Sequence, residues 1–161
     1  MSLMVSGADL PPLAWASHGF TFDSAAWRPI TNCPGWTIKP LGGLWTSPMH
    51  VDGGTHWTQW CEREDYDKNA GPLVPIVPAA DATVFRVHSL DDLRALCARY
   101  PIEVPARMRM WPTIDWEKAA AEIDAVWLTE EGQYATRYSE PGLYGWDCAT
   151  VLWLQPRFRT P

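Results

Sequence analysis

The segment from Lys39 to Pro48 has the sequence KPLGGLWTSP, which places paired glycines and a Leu-Trp step ahead of two hydroxyl residues. We predict a β-strand over Gly42–Ser47 that the final proline ends, because proline cannot donate to a sheet ladder. The glycines let the strand begin close against neighbouring backbone, since they carry no Cβ. Thr46 and Ser47 are then expected to place their hydroxyl groups at the end of the strand, beside a cleft.

A second aromatic motif follows this strand, with the sequence HWTQWC over His56–Cys61. Trp57, Trp60 and Cys61 recur at the spacing of one helix face, which predicts a helix from about Thr55 that packs beneath the strand. The whole chain holds eleven tryptophans and only four phenylalanines. That ratio indicates either an unusually aromatic core or a set of platforms on which a ligand stacks.

The rest of the chain alternates short apolar segments with helical patterns and proline-rich connections. Strands are predicted at Leu13–Ser17, Ala82–Ser89, Ala125–Thr129 and the end of Tyr144–Leu154. Helices are predicted from the Ser89–Asp92 capping box to Tyr100, and from Asp115 to about Ile123. The range 69–80 is interpreted as an extended connection, and the range 130–142 as a polar loop or hairpin.

These elements indicate an α+β fold with a mixed or antiparallel sheet of about five to six strands and about three helices. Several connections are too short or too rich in proline for parallel crossover units. A chain of 161 residues is most simply one domain, which we predict over residues 13–155. Residues 1–12 are interpreted as an N-terminal tail with a cloning-derived start, and residues 156–161 as a C-terminal tail.

Charge and hydropathy disfavour two classes of partner. The formal net charge is −6, and lysine and arginine form no cluster, so binding along a nucleic-acid backbone is not expected. No apolar run approaches the roughly 18 residues that a membrane span needs. No charged segment followed by an apolar stretch occurs near residue 1, so secretion by a standard signal is not expected. We therefore expect a cytoplasmic protein without a membrane partner, whose four cysteines are reduced.

Histidines and cysteines allow two further hypotheses, and their spacing favours neither. His50, His56 and Cys61, with Cys33, could form a zinc site, yet these spacings match no familiar zinc motif, so no metal is expected. A Cys–His nucleophile pair lacks any surrounding signature. The two tryptophans that share a helix face with Cys61 would raise the pKa of its thiol rather than lower it.

Four acidic residues near the C-terminus raise the question of glycoside hydrolysis, which needs two opposed carboxylates. Glu130, Glu131 and Glu140 lie in a polar stretch and are interpreted as solvated, although tryptophan platforms would suit a sugar. Asp147 differs, because it lies between a tryptophan and a cysteine at the entry to an apolar strand. A carboxylate in that position must be hydrogen-bonded, paired or functional.

Three groups of polar residues lie at ends of predicted strands: His18, the Thr46–Ser47 pair and Asp147. Strand ends present polar groups to a cleft on a rigid sheet, so these residues are candidates for one site. In the alternative, His18 and Ser47 cap local backbone, and Asp147 pairs with an arginine such as Arg137. The residue pattern leaves both interpretations open.

Three segments together resemble an uncharacterised family of bacteriophages and large DNA viruses: KPLGGLWTSP, HWTQWC, and IDWEKAAAEIDAVWLT with the later LYGWDCATVLWL. The family motifs are a histidine near the first strand, KPxGLWxS, WxxWC, an Ile-Asp-Trp helix, and WDxxSG before a final strand. The similarity extends from Ala14 to Leu154, and the chain departs from the last motif at Thr150-Val151, where the family has Ser-Gly. This resemblance implies a phage or prophage protein in the host cytoplasm.

The order of a first-strand histidine, a hydroxyl pair on the second strand and a late acidic residue is similar to the ADP-ribosyltransferase fold. This similarity implies a mono-ADP-ribosyltransferase that uses NAD. By position, it implies that His18 holds the ribose and that Asp147 is the acidic catalytic residue, which stabilises the oxocarbenium charge developing on the ribose. It further implies that Thr46 and Ser47 order the site.

The same similarity implies that Trp45 or Trp57 stacks on nicotinamide. The chain departs from that fold in its late acidic residue, which is normally Glu, often within a Gln/Glu-x-Glu motif. The one Glu-x-Glu here is Glu62-Arg63-Glu64, on the helix after the second strand. Two functions stay open: NAD-dependent ADP-ribosyl transfer, and non-catalytic binding of a sugar, nucleotide or protein partner by an aromatic-rich module.

Overall fold

The computed structural model describes residues 2–35, 37–66, 71–108 and 111–161, and within these ranges the chain forms one eight-stranded sheet and four α-helices. The strands are β1 Met4–Ser6, β2 Leu13–Ala16, β3 Leu44–Pro48, β4 Leu73–Pro78, β5 Thr83–Val87, β6 Ala125–Leu128, β7 Thr150–Trp153 and β8 Phe158–Arg159. The helices are α1 His56–Arg63, α2 Leu90–Arg99, α3 Trp116–Ala120 and α4 Glu130–Thr136. The α+β class predicted from the sequence is confirmed.

The strands lie in the order β1-β5-β6-β7-β3-β2-β4-β8. β5 and β6 are parallel and the other neighbouring pairs are antiparallel, so the sheet is mixed. β3 lies between β2 and β7, with Ala14 paired to Ser47 and Thr46 paired to Val151. Three segments that are far apart in the sequence therefore lie side by side in the sheet.

The glycines ahead of β3 have the role that the sequence predicts. Gly42 and Gly43 adopt φ angles of +79° and +68°, in the left-handed region that favours glycine. A Cβ on Gly43 would lie 2.5 Å from the carbonyl oxygen of Trp153, and a Cβ on Gly42 would lie 2.3 Å from that of Pro29. Only glycine therefore lets the start of β3 approach these backbones so closely.

Side-chain caps begin the first two helices where the sequence predicts them. Thr55 accepts a hydrogen bond from the backbone N–H of Thr58 at 3.1 Å and so caps α1. Ser89 accepts from the backbone N–H of Asp92 at 3.3 Å, and the Asp92 carboxylate accepts from the Ser89 N–H at 2.9 Å. This reciprocal pair is the predicted capping box of α2. α3 is shorter than predicted and ends at Ala120.

Each face of the sheet carries its own hydrophobic core. The first core packs α2 and α3 against the sheet, and its buried residues include Phe85, Leu96, Trp116, Trp146 and Leu152. The second core lies on the opposite face and includes Leu13, Val84, Val151 and Trp153. Three of the tryptophans, Trp116, Trp146 and Trp153, are at most 1% exposed. Part of the tryptophan excess is therefore an aromatic core, which is the first of the two interpretations of that ratio.

The sheet has more strands than predicted. β1 and β8 lie in the ranges interpreted as terminal tails, and β4 lies in the range interpreted as an extended connection. β1 and β8 are three and two residues long, and they exist through pairing with β5 and β4. Such long-range pairing leaves no local sequence pattern, because β-structure depends on neighbouring strands more than on intrinsic preference.

The fourth helix corrects the interpretation of residues 130–142 as a loop or hairpin. Thr129 caps α4 by accepting from the backbone N–H of Gly132 at 3.0 Å. α4 buries Gln133 and Thr136, so its inner face is polar and gives no apolar periodicity. None of the helices in the described ranges has the length and apolar character that crossing a bilayer requires.

Candidate functional site

A cavity of about 490 Å³ is bounded by β2, β3, α1 and the segment that precedes β7. All six residues predicted for the site line it: His18, Trp45, Thr46, Ser47, Trp57 and Asp147. The sheet order explains the grouping, because β3 carries three of these residues and its neighbours β2 and β7 adjoin the segments that carry His18 and Asp147. The chemical roles assigned to these residues stay predictions.

Ser47 joins three parts of the cavity wall from within. Its Oγ donates to the carbonyl oxygen of Ala149 at 3.1 Å and accepts from the backbone N–H of Trp57 at 3.0 Å. These bonds hold the start of α1 and the segment before β7 against β3. The Ser47 hydroxyl is thus buried and already hydrogen-bonded to backbone groups of the protein, which lie 10 and 102 residues away in the chain.

Thr46 also lines the cavity, and its hydroxyl is hydrogen-bonded within the protein. Side chains alternate along a strand, so Thr46 points to the face opposite Trp45 and Ser47. Its Oγ1 donates to the carbonyl oxygen of Val151 at 2.9 Å and accepts from the indole N–H of Trp153 at 3.2 Å, beside the second core. Thr46 therefore stabilises the β3–β7 pair.

An aromatic wall on and after α1 closes one side of the cavity. The rings of Trp57 and Trp60 stack with their centroids 5.1 Å apart and their planes at 15°. Tyr66 packs edge-on against both, with its centroid 5.2 Å from that of Trp60. Trp60 thus covers one face of the Trp57 ring. The two rings meet because Trp57 and Trp60 are three residues apart on the predicted helix face.

A second group of three tryptophans runs from the first core to the cavity. Trp116 and Trp146 stack with centroids 6.1 Å apart, and Trp146 meets the edge of Trp45 at 4.8 Å. Lys39 completes the group, with its Nζ 5.3 Å from the centroid of the Trp45 ring. Lys39 lines the cavity and was missed from the sequence, although it opens the KPLGGLWTSP segment.

His18 lies at the rim, just beyond the end of β2. Its φ of 51° is in the left-handed region, which is uncommon for a residue with a side chain. The turn packs tightly against Gly71, where a Cβ would lie 2.5 Å from the Cα of His18. Ser17 anchors the same turn, since its Oγ donates to the carbonyl oxygen of Pro72 at 3.0 Å. The surrounding backbone thus holds His18 in a strained conformation, a feature that clusters at functional sites.

Asp147 is a half-buried carboxyl group whose surroundings oppose its ionisation. Burial raises the pKa of Asp147 above its usual value, and the positive charges of Lys39 and Arg137 partly offset that effect. The predicted pairing with Arg137 is not a contact, because within the described residues no Arg137 nitrogen lies within 4.0 Å of the Asp147 carboxylate. An incompletely solvated carboxylate of this kind favours a cation or a hydroxyl donor beside it.

The histidines considered for a metal site lie close to each other. The rings of His50 and His56 are 4.1 Å apart at their centroids, and burial, followed by the neighbouring His50, lowers the pKa of His56. Within residues 2–35, 37–66, 71–108 and 111–161, no group of three His, Cys, Asp or Glu side chains is arranged to hold a metal ion. Burial raises the pKa of the Cys148 thiol at the cavity to about 11, which is unsuited to a nucleophile.

No family model, curated protein or solved structure matches this chain. The resemblances to the phage and DNA-virus family and to ADP-ribosyltransferases therefore stay predictions from the motifs. The support for a function comes from the cavity itself, which combines a rim histidine, a poorly solvated carboxylate, a lysine and two groups of aromatic rings.

Proposed function

We propose that this protein binds NAD in the cavity and transfers its ADP-ribose moiety to an acceptor. The observation that carries the proposal is the adjacency of β2, β3 and β7, which brings His18, Ser47 and Asp147 around one cavity walled by indoles. A volume of about 490 Å³ lies within the range of about 300–1,000 Å³ usual for small-molecule sites.

The chemistry assigns a different task to each group. The bond between the ribose and the nicotinamide nitrogen breaks, its electron pair stays on that nitrogen, and positive charge develops on the ribose. Asp147 stabilises this charge, because a preorganised carboxylate away from bulk water interacts strongly with a nearby cation. The acceptor then forms a bond to the same ribose carbon and gives up a proton to solvent.

Orientation comes from His18 and the aromatic rings. In this proposal, His18 hydrogen-bonds a ribose hydroxyl, and Trp45 or Trp57 stacks on the nicotinamide ring. Ser47 contributes indirectly, since its two hydrogen bonds fix α1 and the segment of Asp147 relative to β3.

The second candidate is non-catalytic binding of a nucleotide or sugar. The Trp57–Trp60–Tyr66 wall favours it, because stacked aromatic side chains present flat apolar surfaces to planar bases and to sugar rings alike. The two candidates differ in what Asp147 does: it stabilises a transition state in the first and contacts a bound ligand at most in the second.

The test combines NAD binding with NAD turnover in three proteins: the wild type, Asp147→Asn, and Asp91→Asn as a control at an exposed carboxylate on α2. NAD should quench tryptophan fluorescence saturably in the wild type and both variants, since the rings stay in place. Release of nicotinamide should fall by about 100-fold or more in Asp147→Asn and stay unchanged in Asp91→Asn.

Two results would decide against the proposal. NAD that neither quenches fluorescence nor raises the melting temperature at millimolar concentration would exclude a competent NAD site, because a ligand that binds the native state must stabilise it. Saturable binding of NAD without nicotinamide release in the wild type would instead support the binding module.

A further inference from the structure

Lys39 is a cation at the cavity of a protein whose net charge is −6. Within the described residues no carboxylate oxygen lies within 4.0 Å of its Nζ, so its charge is not neutralised by an ion pair. Its closest described aromatic contact is the face of Trp45, at 5.3 Å from Nζ to the ring centroid. A cation over an indole face keeps its hydrogen-bond donors available to a ligand.

The backbone that carries Lys39 is held in place by two buried indoles. The Nε1–H of Trp116 donates to the carbonyl oxygen of Thr37 at 2.9 Å, and the Nε1–H of Trp146 donates to that of Ile38 at 3.0 Å. Ile38 and Pro40, on either side of Lys39, are buried. The lysine therefore projects from a turn that is fixed on both sides, which is the preorganisation that a binding residue needs.

The same hydrogen bond relates Lys39 to Asp147. Trp146 bonds to Ile38, and each of these two residues is followed by one of the charged residues. Lys39 and Asp147 therefore lie on adjoining parts of the cavity wall and carry opposite charges. An anionic group of a ligand would be attracted by the lysine and repelled by the carboxylate, so the two charges give the cavity a polarity.

We propose that Lys39 binds a phosphate group of the substrate, so that the substrate class is a phosphate-bearing nucleotide rather than a nucleoside or a sugar. This inference rests on the proposed function: the ribose next to nicotinamide lies against Asp147, and the pyrophosphate of NAD lies against Lys39. An ammonium group is a compact donor of three hydrogen bonds, and its bonds to phosphate oxygens are charge-assisted.

The test measures four probes against four proteins by tryptophan quenching. NAD, nicotinamide mononucleotide and ADP carry phosphate, and nicotinamide riboside carries none. The proteins are the wild type, Lys39→Met, which keeps the stem without the charge, Lys39→Arg, which keeps the charge, and Lys118→Met, a control at an exposed lysine on α3. A melting curve of each variant verifies that it is folded.

The wild type should bind nicotinamide mononucleotide about tenfold more tightly than nicotinamide riboside, and Lys39→Met should remove that difference. Affinity for NAD and ADP should fall about tenfold in Lys39→Met, stay close to wild type in Lys39→Arg, and stay unchanged in Lys118→Met. Added salt should weaken NAD binding to the wild type more than to Lys39→Met, because salt screens the ion pair.

Each outcome separates the two proposals. If NAD binds the wild type and Lys39→Met equally well, the role of Lys39 is refuted while the proposed function stands. If NAD does not bind but ADP binds in a Lys39-dependent manner, the ADP-ribosyl transfer fails and the phosphate site stands. If neither NAD, nicotinamide mononucleotide nor ADP binds the wild type, both proposals fail.

Discussion

Replacing Trp146 by phenylalanine tests how the core positions the site. The Trp146 indole is about 1% exposed, packs between Trp116 and Trp45, and donates its N–H to the carbonyl oxygen of Ile38. Phenylalanine retains an aromatic ring in this place but has no N–H. The variant therefore removes one hydrogen bond to the Lys39 segment while it keeps most of the packing.

The expected loss of stability follows from these contacts. Leaving the buried carbonyl group of Ile38 without its partner costs about 1–3 kcal/mol. The three ring atoms that are lost leave a small cavity, which costs about 1 kcal/mol more. The free energy of unfolding should therefore fall by about 2–4 kcal/mol, and the melting temperature by roughly 10 °C for a chain of this size.

The assay pairs thermal unfolding with the affinity difference between nicotinamide mononucleotide and nicotinamide riboside. Trp153→Phe is the matched control, because Trp153 is equally buried, while the Thr46 oxygen that it bonds still donates to Val151. The control should lose less stability and keep the affinity difference, whereas Trp146→Phe should lose both. A melting temperature within about 2 °C of wild type in Trp146→Phe would refute the claim that its indole anchors the Lys39 segment.

Three further predictions concern titratable groups. Asp147→Asn should raise the melting temperature at pH 7, since burial raises the pKa of this carboxyl and its charged form opposes folding; the gain should vanish below its ordinary pKa of 3.8. Iodoacetamide at pH 8 should alkylate Cys33 at least about tenfold faster than Cys97 or Cys148, because burial raises the pKa of the latter two thiols to about 11. Peptide mass spectrometry would measure the rate at each cysteine. Burial chiefly lowers the pKa of His56 below 6.5, so the free energy of unfolding should fall as the pH drops below that value. In His56→Gln, the free energy of unfolding measured by chemical denaturation should fall less between pH 7 and pH 5.

Features with a local cause could be predicted from the sequence. The β3 segment is specified by its glycines and by the proline that ends it, and α1 and α2 by their threonine and serine caps. These signals work within a few residues of the chain, so neighbouring elements cannot override them easily. The placement of His18, Ser47 and Asp147 at strand ends was sufficient to predict residues that line one cavity.

Features that depend on distant contacts could not be predicted. β1 forms because β5 offers it an edge, although even the closest pair, Ser6 and Thr83, lies 77 residues apart in the chain. No property of Met-Val-Ser favours a strand alone. The sequence shows that the hydroxyls of Thr46 and Ser47 are adjacent, but not which face of the sheet each one takes or which distant backbone group it bonds. Lys39 was overlooked because its position depends on two indoles that lie 79 and 108 residues away from their acceptors.

The indole N–H groups explain why tryptophan rather than phenylalanine occupies two positions of the first core, Trp116 and Trp146. Residues 37–40 belong to no helix or strand, so their carbonyl groups have no regular partners, and a buried carbonyl without a donor is costly. Trp116 and Trp146 supply donors from within the apolar layer, which phenylalanine of similar shape cannot do. A turn that would otherwise need exposure to water can thus run through the protein interior and place Lys39 at the cavity. The tryptophan content of this chain is in part the consequence of building a cavity wall from irregular backbone.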